Sequence, residues 1–328
     1  MLISPGPDPF AILLLALIID LAFGDMERVF RFLPHPVVIA GGAIAFFDRR
    51  LNRATRSDRA RRIRGAITVL ILVGGAAALG WAAMRYLRVV HFGWGLEALL
   101  VAILLAQRSL FDHVAAVARG LQRGGLPSGR QAVAKIVGRD PESLDEFGVA
   151  RAAIESLFEN FSDGVVAPAF WYLLLGLPGL FAYKTANTLD SMIGHRSPKY
   201  LHFGWAAARF DDALNWIPAR LGALIICLAA LAIPETRSGG ALRVMFKDAR
   251  KHRSPNAGWP EAAAAGALGL ALAGPRQYSG TVTQEPWLGD GRARATVADI
   301  GAALKLYLGA AACLAVLLLG GAAARQFL

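Results

Sequence analysis

The stretch R-A-A-I-E-S-L-F-E-N-F-S-D-G-V-V-A-P-A-F-W, residues 151–171, decides the fold class of this chain. It places carboxylates and amides directly before an apolar run, Val165–Tyr183, that prolines and glycines interrupt. Two more polar stretches follow, Y-K-T-A-N-T-L-D-S-M-I-G-H at 183–195 and A-A-A-R-F-D-D-A-L-N-W-I-P-A-R at 206–220. Polar groups are costly to bury inside a membrane, so these stretches indicate a functional site in a membrane protein.

The composition supports that interpretation. The chain has 328 residues, of which 55% are hydrophobic, and its mean hydropathy is +0.44. Soluble domains are closer to 45–50% apolar. We therefore predict an all-α fold, a polytopic integral membrane helical bundle with re-entrant or broken helices, and a single membrane-embedded domain over residues 1–328. The clearest membrane segments are the apolar runs Phe10–Phe23, Gly65–Met84, Trp94–Ala106 and Gly301–Gly320. Further apolar runs are predicted to be helical or closely packed, at Val37–Phe47, Arg220–Ile233 and Ala262–Ala273.

The net charge of +11 is explained by membrane topology. Eight arginines lie within Asp48–Arg64, which places this segment in the cytoplasm by the positive-inside rule. No nucleic-acid partner is expected, because the arginines lie mainly between apolar runs. The polar region 107–163 is predicted to be cytoplasmic and helical, with a helix starting at Asp140-Pro141 and ending at Gly164. We expect a multi-pass protein of the cell inner membrane with its active site facing the cytoplasm.

A full crossing by Val165–Tyr183 would put the acids before it and after it on opposite sides of the membrane. The prolines and glycines in this run permit a broken or re-entrant helix, which is tolerated where it lines a protein-enclosed cavity. We favour that topology because it allows the polar stretches to form one site.

Glu155, Glu159 and Asp163 recur every four residues and share one side of a predicted helix. Carboxylates arranged in this way suit Mg²⁺, which takes oxygen ligands from protein, water and phosphate. Asn160 adds an amide to the same region. The alternative is an exposed helix face with an Arg151–Glu155 ion pair of little energetic value.

The next two polar stretches combine cations with acids and amides. A cavity lined in this way fits a nucleoside triphosphate with its metal ion, because cations hold phosphate oxygens and acids hold the metal. The alternative is a set of helix caps and buried ion pairs. The residues concerned are Lys184, Asn187, Asp190, Ser191, Arg209, Asp211, Asp212, Asn215 and Arg220.

A basic run ending in His252 precedes S-P-N-A-G at 254–258. It is either a site for an anionic substrate or a cytoplasmic charge cluster followed by a turn. The sequence contains no G-x-x-x-x-G-K-[ST] phosphate-binding loop and no histidine spacing typical of zinc.

Several of these motifs together resemble the CobD/CbiB family. The likeness runs from D-L-A-F-G-D (20–25) and H-P-V-V (35–38), through residues 155–171, 183–194 and 207–220, to S-P-N-A-G-W-P-E-A-A-A-A-G-A-L-G (254–269). Members of the family are adenosylcobinamide-phosphate synthases of cobalamin biosynthesis. The resemblance implies ATP- and Mg²⁺-dependent formation of an amide bond. It would join adenosylcobyric acid to (R)-1-amino-2-propanol O-2-phosphate or a related amino alcohol. Other membrane-bound enzymes of that pathway are candidate partners.

Under this hypothesis the predicted catalytic residues are Glu155, Glu159, Asp163, Asp190 and Lys184, and the four acids among them are also predicted to bind Mg²⁺. Asp211 and Asp212 are second choices for the same work. Residues predicted to bind substrate are Asn160, Asn187, Ser191, Arg209, Asp212, Asn215, Arg220, His252, Ser254 and Asn256. Two alternatives stay open, a corrinoid transporter or assembly partner and a Mg²⁺-dependent membrane phosphotransferase. For the second, S-D-G-V-V-A-P (162–168) lacks the first Asp and the Arg of the D-x-x-D-G-x-x-A-R motif.

Overall fold

The computed structural model describes residues 8–24, 30–138, 140–278 and 281–325, and within these ranges the chain is mainly helical. The α-helices are α1 (Pro9–Phe23), α2 (Pro36–Leu51), α3 (Asp58–Leu87), α4 (Gly93–Leu104), α5 (Gln107–Val133), α6 (Glu146–Phe161), α7 (Ala167–Leu175), α8 (Leu177–Ile193), α9 (Trp205–Leu214), α10 (Trp216–Ala232), α11 (Ser238–Asp248), α12 (Gly258–Leu268) and α13 (Val297–Arg325). Short 3₁₀ turns occupy Pro141–Ser143 and Ala249–Lys251, and a π-helical turn occupies Ser162–Val166. Two small antiparallel pairs join β1 (Leu272–Ala273) to β4 (Trp287–Leu288) and β2 (Arg276–Tyr278) to β3 (Thr281–Thr283).

Three helical stretches in the described part of the chain are long and apolar enough to cross a membrane. They are Asp58–Leu87, Gly93–Val133 and Val297–Arg325, and a fourth results if α9 and α10 are counted as one bent span. Helix α1 is also apolar, although it has only 15 residues. The predicted polytopic helical membrane fold is therefore confirmed.

The chain divides into two compact units. The first contains residues 1–106, 167–215 and 318–328, and the second contains residues 107–166 and 216–317. In the first unit, α3 packs along α8, with α2 and α9 against the same two helices, and α1 packs against α4 and α7. Its core includes Ile44, Leu189 and Phe203, whose side chains are fully buried. In the second unit, α12 packs against α6, α10 and α11, and Ala262–Ala265 on it are fully buried.

Asp48–Arg64 is more helical than a simple loop between apolar runs. Helix α2 continues to Leu51 and α3 begins at Asp58, so the arginines lie largely on the ends of two helices. The Ser57 side chain caps α3 by accepting a hydrogen bond from the backbone N–H of Ala60. A serine at this position satisfies a donor that the helix itself leaves without a partner. Arginine also has a high helix propensity, which is consistent with helical structure in this polar segment.

Two predicted helix boundaries are wrong. Asp140-Pro141 starts only a 3₁₀ turn, and α6 begins at Glu146, where the Asp145 side chain accepts a hydrogen bond from the Gly148 N–H. Gly164 does not end the helix, because the chain passes through the π-helical turn into α7.

The predicted small-residue helix also ends before Ala273. Helix α12 stops at Leu268, because Gly269 adopts a left-handed conformation, and Leu272–Ala273 then pairs with Trp287–Leu288.

The interruption predicted within Val165–Tyr183 is present at Gly176. This residue has φ 69° and ψ −153°, a combination that glycine adopts without the steric cost of a side chain. The break separates α7 from α8, and the two helices pack against each other. That this segment is re-entrant in the membrane stays a prediction.

A polar network fastens the segment after α8 to the arginine-rich helix ends. Lys199 Nζ donates to Asp48 Oδ2 at 2.8 Å, and Asn52 Nδ2 donates to Asp48 Oδ1 at 2.8 Å. Arg61 Nε donates to Asn52 Oδ1 at 3.0 Å, and its Nη2 donates to the Lys199 carbonyl. The hydrogen bonds from Lys199 to Asp48 and Tyr200 raise the pKa of Lys199, so its ammonium is favoured in the folded state. The network fixes the position of the segment that leads from α8 to α9.

Close packing at Gly65 gives a stability prediction. A Cβ at this position of α3 would lie 1.9 Å from the Phe203 carbonyl oxygen, so Gly65→Ala requires the backbone to move. We expect Gly65→Ala to lower the free energy of unfolding by about 1–3 kcal/mol, as overpacking commonly does. Gly74→Ala in the same helix is the matched control, because nothing lies within 4 Å of its added Cβ. Thermal unfolding in detergent measures both, and an equal Tm for the two variants would contradict the prediction.

Candidate functional site

The acidic end of α6 lies in the second unit. Glu155 is buried with 4% of its surface exposed, Glu159 and Asn160 are exposed, and Asp163 is half-buried. Asn160 Nδ2 donates to the Ser156 carbonyl at 2.9 Å and to Ser156 Oγ at 3.1 Å. Helix α6 therefore presents Glu159 away from its packed side, while Glu155 points into the unit.

Glu155 holds part of the loop that follows α12. Its Oε1 accepts a hydrogen bond of 2.8 Å from the backbone N–H of Ala273, which has a left-handed φ of 59°. Arg151 lies 3.9 Å from the same oxygen, donates to the Ala293 carbonyl at 3.0 Å and lies 5.1 Å from the centre of the Trp287 ring. Arg151 and Glu155 together connect α6 to both ends of this loop.

The π-helical turn Ser162–Val166 lies immediately after the acidic helix end and contains Asp163. Such turns insert an extra residue into a helix and occur often at functional sites. A Cβ added to Gly222 of α10 would be 3.5 Å from Ser162 Cβ, an ordinary packing contact. Ser162 Oγ is buried and has no hydrogen-bond partner among the described residues. The prediction that Glu155, Glu159 and Asp163 share one side of a helix assumed regular α-helical spacing. The π-helical turn changes that spacing at Asp163.

His252, Ser254, Asn256 and Arg220 are brought together in the second unit. His252 Nδ1 accepts a hydrogen bond from the Ser254 N–H at 3.1 Å, so the proton of the neutral ring is on Nε2. That nitrogen lies 3.8 Å from Glu261 Oε1. Asn256 Oδ1 accepts a hydrogen bond from Arg220 Nη1 at 3.3 Å.

Glu261 is a buried partner that the sequence analysis did not assign. Its side chain is 2% exposed, and it lies in the first turn of α12. The signal was present in S-P-N-A-G-W-P-E, because an acid soon after a turn is common where a helix begins. Its pairing with His252 depends on the three-dimensional packing of α12 against the turn before it.

The first unit contains a buried amide and acid cluster. Asp211 accepts hydrogen bonds from Asn215 Nδ2 at 2.9 Å and from Asn187 Nδ2 at 3.5 Å. Tyr183 Oη donates to Asn215 Oδ1 at 2.9 Å. The structure thus joins two of the predicted residues, Asn187 and Asn215, through Asp211. It adds Tyr183, which the sequence analysis did not assign.

Asp190 and Asp212 lie beside this cluster. Burial raises the pKa of Asp190, the negative charge of Asp212 raises it further, and His195 acts in the opposite direction. Arg209 Nη1 lies 3.3 Å from Asp212 Oδ2, so this cation is already paired with an acid. Ser191 Oγ donates to the Asn187 carbonyl at 2.9 Å, which is a bond within one helix.

Lys184 lies on a cavity of about 550 Å³ in the first unit. Its neighbours in the lining include Arg31 and His35 as well as apolar side chains of α2 and the end of α4. His35 Nδ1 accepts a hydrogen bond from the Val37 N–H at 3.2 Å, so Nε2 carries the proton and donates to the Ile103 carbonyl at 3.2 Å. His35 therefore caps α2 and closes one wall of the cavity.

No group of three or more His, Cys, Asp or Glu side chains in the described ranges has a geometry that could hold a metal ion. Mg²⁺ is commonly bound through one or two carboxylates together with substrate phosphates and water. The exposed Glu159 and the half-buried Asp163 fit such a site. That Glu155, Glu159, Asp163 and Asp190 bind Mg²⁺ stays a prediction.

Comparisons with known proteins agree on one family. A family model described as CobD/Cbib protein matches residues 13–307. A cobalamin biosynthesis protein CobD of Sinorhizobium sp is 56% identical over 307 residues, which cover 93% of this chain and 95% of that protein. Proteins of the same name from Rhizobium meliloti (strain 1021) and Rhodobacter capsulatus are 53% and 48% identical, and the matches cover 91% and 90% of this chain and 92% of each relative. No solved structure matches the chain.

Proposed function

The chain belongs to the CobD/CbiB family, and from this membership we propose that it forms an amide bond in cobalamin biosynthesis. The acyl substrate would be adenosylcobyric acid, and the amine would be (R)-1-amino-2-propanol O-2-phosphate or a related amino alcohol. ATP would be the third substrate and adenosylcobinamide phosphate the product. The observation that carries this proposal is the match over residues 13–307, which contains every predicted site residue.

The chemistry requires activation of a carboxylate, because its negative charge repels a nucleophile and oxide is a poor leaving group. In the first step a carboxylate oxygen of the corrinoid attacks the γ-phosphorus of ATP, and the bond from that phosphorus to ADP breaks. In the second step the neutral amine attacks the acyl carbon, a C–N bond forms, and inorganic phosphate leaves as the nitrogen loses a proton. Such reactions depend mainly on positioning and on neutralising phosphate charge.

We propose that Glu159 and Asp163 hold Mg²⁺ at the end of α6. When bound, the ion would neutralise negative charge on the phosphate oxygens. Exposure supports this choice, because Glu159 and Asp163 are accessible and Glu155 is not. Asp190 is the proposed proton acceptor for the amine, since its raised pKa favours proton uptake.

Lys184 and Arg220 are the proposed phosphate-binding cations. Arg209 is a weaker candidate because Asp212 already pairs with it. Asn160, Asn187, Ser191 and Asn215 would orient substrate, and His252, Ser254 and Asn256 would line the corrinoid or amino-phosphate side. We propose that these residues face the cytoplasm, because the arginine-rich helix ends are expected there.

The experiment incubates purified protein in detergent with adenosylcobyric acid, aminopropanol phosphate, ATP and Mg²⁺, and follows the corrinoid by mass spectrometry. We expect a product heavier than the acid by the amine minus water, formed only when ATP is present. Saturable corrinoid binding without product would instead favour a transporter or assembly partner. ATP-dependent phosphate transfer without the amide would favour a phosphotransferase.

A further inference from the structure

Arg220 is held between two tryptophans in the second unit. Its guanidinium carbon lies 4.3 Å from the centre of the Trp216 ring and 4.5 Å from that of Trp259. Nη1 also donates to the Trp216 carbonyl and, at 3.3 Å, to Asn256 Oδ1, and Asn256 is buried. A planar guanidinium between two indoles has a fixed orientation, which a lysine ammonium could not reproduce.

A second arginine lies close to this group. Arg250 lies in the 3₁₀ turn Ala249–Lys251, which packs against α12, the helix that carries Trp259, and Arg250 is exposed. Across the described part of the chain, neither Arg220 nor Arg250 has a carboxylate within ion-pair distance. By contrast, Arg243 of the same unit lies 3.4 Å from Asp290, and Arg292 lies 2.9 Å from Asp299. Two neighbouring cations without an acid raise the free energy of the site until an anion binds.

Two helix ends add to the positive potential. Trp216 is the first residue of the 17-residue helix α10, and Trp259 is the second residue of the 11-residue helix α12. Arg220 contacts both side chains, so it lies beside the N-termini of both helices. Backbone N–H groups at helix N-termini favour negative charge nearby. This feature supports the arginine pair, which carries the main argument.

We propose that Arg220 and Arg250 bind a phosphate group, with Asn256, Trp216 and Trp259 holding Arg220 in place. Guanidinium groups match phosphate oxygens in geometry and can donate two hydrogen bonds to them. The proposal rests on the proposed function for its ligand, since ATP and the amino alcohol phosphate both carry phosphate. An anionic lipid headgroup presents the same chemistry, so the test separates the soluble and lipid sources.

The test measures binding without turnover. Isothermal titration of the purified full chain in detergent, with ATP and with aminopropanol phosphate separately, gives a Kd for each. We expect Arg250→Gln and Arg220→Lys to weaken binding of one of them at least about tenfold, the effect of losing a charged hydrogen bond. Arg243→Gln is the matched control, because it removes an arginine of the same unit that already has an acid partner. Arg250 is exposed, so its variant tests the site even where Arg220→Lys lowers stability.

A lipid arm uses nanodiscs that contain phosphatidylglycerol, with retained lipid measured by native mass spectrometry. Loss of retained lipid in the two variants, with unchanged affinity for both soluble phosphates, would assign the site to a headgroup. Unchanged Kd values and unchanged lipid retention would overturn the proposed site, even if the wild-type chain makes the amide. Conversely, weakened phosphate binding in a chain that makes no amide would leave the site standing and refute the proposed function.

Discussion

Glu159→Gln is expected to lower turnover of the amide-forming reaction by about 100-fold or more, the range found when a group acting in the transition state is lost. Glutamine keeps the size of the side chain and removes the negative charge that would hold Mg²⁺. The residue is exposed on α6, so the substitution disturbs little packing. The Tm should therefore stay within about 2 °C of the wild type, as for most surface changes.

Glu146→Gln is the control for this variant, because it removes the same charge from an exposed position in the first turn of the same helix. Its turnover should match that of the wild type. The measurement is initial rate of corrinoid product against Mg²⁺ concentration. Full activity in Glu159→Gln at limiting Mg²⁺ would remove Glu159 from the proposed metal site.

Glu155→Ala is expected to lower the free energy of unfolding by about 2–4 kcal/mol. The substitution removes the acceptor of the Ala273 N–H and the carboxylate beside Arg151, both at a buried position. Ala273 lies in β1, in the loop that follows α12. This loop, which contains β1 and β4, should therefore lose its structure before the rest of the unit. Thermal unfolding gives the stability, and hydrogen exchange at residues 270–295 reports the opening.

Glu155→Gln separates two roles of this residue. The amide oxygen can still accept from Ala273, so most of the stability should return. If Glu155 also binds Mg²⁺, turnover in Glu155→Gln should stay low although the fold is restored. If both stability and turnover recover, Glu155 is a positioning residue only. Equal loss of stability in the alanine and glutamine variants would contradict the hydrogen-bond explanation.

Helices that neighbouring residues alone specify could be predicted from the sequence. Gly65–Met84 is an uninterrupted apolar run, Gly301–Gly320 is apolar except for Lys305, and each lies within a long helix of the structure. The break at Gly176 was also visible, because Gly176, Pro178 and Gly179 lie close together and such a cluster favours a helix break. The end of α12 was not, since Ala271–Ala273 has the composition of the helix before it and its strand pairing requires Trp287, which is distant in sequence.

In the candidate site, too, local features could be predicted from the sequence and long-range contacts could not. The motifs that resemble the CobD/CbiB family identified the family correctly. Contacts within one turn, such as Ser254 with His252, could be anticipated from spacing. Glu155 with Ala273, and Arg220 with Trp259, join residues that are far apart along the chain, so no periodic pattern reveals them. The π-helical turn depends on packing against α10, which spacing does not report.

The length of helix α3 relates the structure to the thickness of the bilayer. Its 30 residues extend about 45 Å, which exceeds the hydrocarbon thickness of about 30 Å. The arginine-bearing turns at its start should therefore rest among lipid headgroups, and Arg61 ties the Lys199 segment to that depth. A change in bilayer thickness would change the tilt angle of this helix. It would therefore shift the segment that leads from Asp190 to Asp212. Lipid chain length should consequently change the rate of the proposed reaction.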